Sequence, residues 1–208
     1  MKNCKISIIT AGILLSLMLS HFEGKSQLLY IGINGGTNYT WFRIPESNEK
    51  IRSSGKGGNV GFFLRYGKRP YYMAGFDWSH SSNNFVFNNS ANNTTIEDQI
   101  SYHNFEFSLK AGYEIIQKPY FKWYVHGGPF IGRSLLFHSN NFELSNSDFK
   151  NPQYGVVAGT GIQVTNFILT IEYSYHISGL FKPIYLNGNQ IDFGSRLQML
   201  SIKAGMQF

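Results

Sequence analysis

Leu197-Gln198-Met199-Leu200-Ser201-Ile202-Lys203-Ala204-Gly205-Met206-Gln207-Phe208 closes the chain, and its two parities differ in kind. Leu200, Ile202, Ala204, Met206 and the terminal Phe208 fall on one, while Ser201, Lys203, Gly205 and Gln207 fall on the other. Successive side chains of a strand point to opposite faces, so this segment reads as a strand with one apolar and one polar face. A soluble sheet can show the same alternation. Here the pattern recurs along the whole chain behind an export signal, and together they predict a closed barrel in an outer membrane, where every backbone group must be paired inside the protein.

The export signal is the first segment. Lys2 and Lys5 precede an apolar run from Ile6 to Leu19, and Gly24 and Ser26 stand at the minus-three and minus-one positions of a cut before Gln27. The run is shorter than the roughly 18 to 20 apolar residues a membrane helix needs, so it reads as a cleaved signal peptide. Residues 1–26 are therefore set apart, and 27–208 are expected to form one β-barrel domain. The single cysteine, Cys4, lies before the apolar run, which leaves the mature chain without disulfide or thiol chemistry. Removing Lys2, Lys5 and Lys25 from 18 basic residues leaves 15, and removing Glu23 from 12 acidic residues leaves 11, a mature net charge of +4. No cluster of five to eight Lys and Arg accompanies it, so no nucleic-acid partner is expected. Aromatic residues reach 16% against 14% charged, which suits a barrel with aromatic girdles better than a soluble sandwich.

Seven further segments carry the alternation: 28–38, 57–67, 71–81, 100–115, 120–136, 154–164 and 167–177. The cleanest is 100–115, with Phe105, Phe107, Leu109, Ala111 and Tyr113 against Asn104, Glu106, Ser108, Lys110, Gly112 and Glu114. Gly67-Lys68-Arg69-Pro70, Gln117-Lys118-Pro119 and Thr165-Asn166 read as tight turns. Long polar loops are expected after Tyr39, Ser82, Phe137 and Ser178, with 82–98 a solvated loop carrying Asn83, Asn84, Asn88, Asn89, Asn92 and Asn93. Gly127-Gly128-Pro129 reads as a bulge or bend. The fold class expected is all-β, a transmembrane antiparallel up-and-down barrel of about eight strands. Its alternating short and long connections put both termini on the periplasmic side.

If the apolar parity faces lipid, Arg65, Asp77, Glu106, Lys110, Glu114, Lys122, His126, Glu172, His176 and Lys203 point inward. In so narrow a barrel inward side chains nearly fill the interior, so a charge network closing the lumen is expected in preference to an open pore.

Four short patterns carry a resemblance. Ile31-Gly32-Ile33-Asn34-Gly35-Gly36, Gly127-Gly128-Pro129, residues 155–161 (GVVAGTG) and residues 172–180 (EYSYHISGL) make the mature chain resemble the PorT-like, outer-membrane β-barrel domain family of Gram-negative envelopes. The resemblance implies a small integral barrel and, through the family's namesake, a component or accessory of an outer-membrane protein-secretion system. A second resemblance is local: His176-Ile177-Ser178 is similar to the His-x-Ser element of outer-membrane lipid A deacylases, with Asp192 or Glu172 as the acid. Such chemistry needs His to take the Ser proton and an acid to orient it. Gly179-Leu180 follows where that group usually carries Asn-Ala, and parity turns His176 toward the lumen and away from an acyl substrate.

The histidines His21, His80, His103, His126, His138 and His176 show no metal-ligand spacing. The reading is thus a non-enzyme with no catalytic, cofactor-binding or metal site, presenting surface loops for envelope architecture or for binding a partner. Its expected surroundings are outer-membrane lipid and lipopolysaccharide, the barrel-assembly machinery during insertion, and a possible envelope or secretion partner.

Overall fold

A computed structural model describes residues 28–43, 52–89, 94–136, 149–180, 182, 184–186, 189–191 and 196–208. The signal peptide and the cut before Gln27 lie outside these residues. The strands in chain order are β1 (Leu29–Arg43), β2 (Arg52–Gly67), β3 (Tyr71–Asn89), β4 (Thr94–Gln117), β5 (Phe121–Leu136), β6 (Gln153–Val164) and β7 (Phe167–Gly179). A small hairpin of β8 (Ile184–Leu186) and β9 (Asn189–Ile191) precedes the last strand, β10 (Arg196–Gln207). Strands β1 to β7 and β10 form one closed antiparallel barrel, in which each strand pairs with its sequence neighbour and β10 returns to β1. That closing seam runs from Gly32↔Gln207 to Arg43↔Arg196, so the terminal segment completes the sheet and leaves the barrel no open edge.

The two faces invert the pattern of a soluble protein. Outward side chains such as Phe62, Leu64, Phe107, Leu109, Leu169, Ile171 and Ile202 are exposed, while inward Arg65, Glu114, Lys110, Glu172 and Lys203 are buried. Exposed apolar rows on the barrel strands are stable only against hydrocarbon. Tyr66, Tyr72 and Tyr113 crown this band at the short-turn end, and Tyr39, Trp41 and Tyr173 at the other.

At the turn end, Gly67 adopts φ 97°, which a residue with a Cβ resists, and Thr165 in the two-residue turn sits at φ 54°. At the other end, 82–89 and 94–98 of the expected long loop over 82–98 are strand instead. The β3–β4 ladder continues through Phe85↔Asp98 and Phe87↔Ile96 to Asn89↔Thr94. Asn83, expected to be solvated, is fully buried. It accepts a hydrogen bond from Thr40 Oγ1 at 2.5 Å and donates one to Tyr102 at 3.0 Å. Asn92 and Asn93 lie outside the described residues.

The expected bulge also moves. Gly127-Gly128-Pro129 keeps one register with β6 throughout and the same register with β4 on either side. The shift lies in β4 between Glu114 and Ile116. Ile115 and Ile116 are both exposed there, so one residue is inserted where two apolar side chains follow each other.

Candidate functional site

Ten charged or imidazole side chains were expected inside, and all ten point inward. They stack along the barrel axis. Near the turn end, Arg65 pairs with Glu114 and lies 3.7 Å over the Tyr71 ring, while Lys122 stands 3.4 Å from the same Glu114 oxygen. Strands β2, β3, β4 and β5 supply these groups because each offers its polar parity at that level.

The middle of the lumen is organised by Glu172. One of its oxygens pairs with Lys110 and with His126 Nε2 at 2.8 Å, and the other with Lys203 Nζ at 2.9 Å. Lys203 reaches on to Asp77 at 2.7 Å, joining the last strand to the third across the interior. Toward the long-loop end, Asn104 donates to Glu106, and His176 Nε2 stands 3.5 Å from Glu106. Arg65, Lys110, Lys122 and Lys203 equal Asp77, Glu106, Glu114 and Glu172 in number, and the lysines and arginine contact Glu114, Glu172 and Asp77 while Glu106 faces Asn104 and His176. Buried charges are tolerated only when paired in this way.

A neutral hydrogen-bonded layer lies above them. Asn38 donates to Ser81 at 2.9 Å, and Gln153 donates to Ser134, which donates to Asn104. Cavities of about 30 and 10 Å³ lie along the charge network, each on the scale of a single water. The arrangement braces the wall and fills the lumen.

Inward aromatics complete the filling, and register shows how. Phe63 covers Gly32, Tyr71 covers Gly112, Tyr124 covers Gly161 and Phe130 covers Gly155, each ring lying where a Cβ on the glycine opposite would stand. Aromatics on the polar parity were the only signal in the sequence. Their glycine partners emerge once the strands are aligned.

The His-x-Ser element does not assemble. Ser178 Oγ accepts from the Tyr154 backbone N–H at 3.0 Å and lies 3.4 Å from its carbonyl, while His176 packs edge-on against Phe130 with centroids 4.8 Å apart. Among the described residues neither ring nitrogen of His176 makes a hydrogen bond. Glu172 is held by three other groups, and Asp192 lies outside the described residues. Both His176 and Ser178 are buried in the lumen, out of reach of a lipid acyl chain.

A match over residues 25–182 identifies the family as outer membrane protein beta-barrel domain. The chain belongs to that family. The match supports the outer-membrane barrel part of the resemblance drawn from the sequence and carries no PorT-like name. OprG from Pseudomonas aeruginosa is similar in structure, with TM-score 0.50, 11% identity, and coverage of 86% of this chain and 95% of that one. Neisserial surface protein A gives TM-score 0.48 and 14% identity over 89% of this chain and 100% of that one. Ail of Yersinia pestis, in complex with the heparin analogue sucrose octasulfate, gives 0.47 and 14% over 86% and 99%. At these identities the likeness is one of fold alone. No curated protein matches the chain. Family and fold together make this an outer-membrane β-barrel protein.

Proposed function

We propose that this barrel is a non-enzymatic membrane anchor whose long-loop end faces the cell surface and presents a binding surface to a partner. Both termini then lie in the periplasm. The observation that carries this reading is the β3–β4 hairpin above a filled lumen. β4 has 24 residues. At about 3.4 Å per residue and a tilt near 40° it rises roughly 60 Å along the axis, against an apolar band of about 25 Å. More than half of it is unnecessary for crossing the membrane. A paired ladder of that length is a costly thing to order in water unless its surface is used.

The test joins Ser82 to Ser101, a directly opposed pair, through an Asn-Gly turn in place of residues 83–100. The trimmed barrel should still insert and show heat-modifiable mobility on gels, yet fail to restore whatever phenotype deletion of the gene produces. Full restoration by the trimmed barrel overturns the reading. A stable conductance of the intact protein in planar bilayers would overturn the filled lumen. The secretion role implied by the PorT-like resemblance is separated by assaying exported cargo in the deletion strain, where normal export discards it.

A further inference from the structure

The outward wall of β7, β10, β1 and β2 carries a feature at the long-loop rim that the barrel does not need. Gln198 Oε1 accepts from Trp41 Nε1 at 2.7 Å and from the Tyr173 hydroxyl at 2.9 Å. The rings of Trp41 and Tyr173 stand 6.1 Å apart. These bonds lock three outward side chains into a ledge at the upper edge of the apolar band. A cation flanks each side. Lys56 reaches over the Tyr39 ring with its Nζ 5.9 Å from the centroid, and Arg196 donates to the Tyr175 hydroxyl at 2.9 Å. Lys56 lies opposite Tyr39 and Arg196 opposite Arg43 on the same strand. Strand spacing and rise then separate the two cation-bearing backbones by roughly 17 Å, a gap two long side chains can narrow.

Directly below the ledge the wall is low. Outward positions there are Gly35, Thr37, Gly58 and Ala204, beside exposed Val60 and Ile202. This is not a packing requirement. A Cβ at Gly58 would come no nearer than 3.6 Å to another atom and one at Gly35 no nearer than 3.4 Å, ordinary contacts in both cases. The inward glycines Gly36 and Gly57, by contrast, have no room for one. At both lipid-face glycines there is thus room for a Cβ that the sequence does not supply.

From these observations we infer a bound-lipid site: Lys56 and Arg196 hold the two phosphates of a lipid A headgroup across the Trp41–Gln198–Tyr173 ledge, with an acyl chain lying in the trough at Gly35 and Gly58. Two separated cations match a headgroup bearing a phosphate at each end of a disaccharide better than a single-phosphate lipid. Charge-assisted contacts to phosphate beside aromatic rings supply the affinity. The inference rests on the surface orientation proposed above.

The test uses the mature barrel in nanodiscs, with native mass spectrometry of retained lipid after adding bisphosphoryl lipid A, monophosphoryl lipid A or phosphatidylglycerol at equal mole fraction. The wild type should retain the bisphosphoryl form in preference to both others. Lys56→Glu with Arg196→Glu should lower that retention about tenfold. Gly58→Leu, which leaves the charges intact, should lower retention of all acylated lipid A while the barrel keeps its heat-modifiable mobility. Equal retention of phosphatidylglycerol, or no effect of either variant, overturns the site. Labelling of Lys56→Cys by a membrane-impermeant maleimide on intact cells separates the two proposals. An unlabelled cysteine refutes the orientation, and a labelled one without lipid A preference refutes this site alone.

Discussion

Glu172→Gln tests whether the lumen is held as a balanced electrostatic core. Glu172 is 4% exposed and pairs with Lys110, Lys203 and His126. The amide has the same shape, so no cavity opens. It removes the negative charge that Lys110 and Lys203 share, leaving Lys203 with Asp77 at 2.7 Å and Lys110 without its carboxylate. Breaking a buried pair by removing one partner costs about 3–5 kcal/mol, because the remaining charge stays desolvated. Against the roughly 5–15 kcal/mol of ordinary domain stability this is a large fraction. The assay is reversible urea unfolding of the barrel in lipid vesicles, followed by tryptophan fluorescence and by gel mobility. Adding Lys110→Met to Glu172→Gln removes the ammonium that lost its carboxylate and keeps Lys203 on Asp77 at 2.7 Å. It should recover about 2 kcal/mol as a non-additive term. If Glu172→Gln stays within about 0.5 kcal/mol of the wild type, and the second substitution only adds to the loss, water is screening these charges and the filled-core argument is wrong.

Three smaller changes probe other parts of the fold. Thr165→Gly removes a Cβ from a positive-φ position and should stabilise the barrel by about 1 kcal/mol in the same unfolding assay. Phe63→Ala uncovers Gly32 and empties part of the turn-end interior, with an expected loss of about 3 kcal/mol and a lower urea midpoint. Ser178→Ala should cost about 1 kcal/mol through its lost bond to the Tyr154 backbone, with lipid A mass spectra unchanged. Altered acylation in that variant would revive the esterase alternative.

Much of the barrel was legible because parity alone decides inside from outside. Arg65, Glu114, Glu172 and Lys203 could be assigned to the lumen from their neighbours in sequence, since a strand crossing a membrane has no third environment to offer. The extension of β3 and β4 was hidden by the same logic. Above the lipid band both faces meet water or polar groups, the contrast between parities fades, and the asparagines from Asn83 to Asn93 read as loop although Phe85, Val86, Phe87 and Ile96 favour strand. The bulge was in plain view as Ile115-Ile116, two apolar residues in succession where strict alternation demands one. What sequence could not show was register. That Lys110, Lys203 and His126 converge on one carboxylate, or that Trp41 bonds to Gln198, depends on the alignment of segments far apart in the chain.

The inward network and the outward rim divide the work of the molecule. A lumen whose charges cancel internally needs nothing from solvent or ligand to be stable, so it imposes no chemistry on the loops above it. Anything selected for recognition must then lie where the barrel's own demands end, on the β3–β4 extension and on outward side chains at the rim. The glycines make this separation visible. Gly36 and Gly57 are required by strand packing and would be lost only with the fold, whereas Gly35 and Gly58 on the lipid face have space to spare. Substituting the first pair should abolish insertion, and substituting the second should leave an intact barrel with altered lipid contacts. Only if both pairs behaved alike would wall and binding surface prove to be one structure.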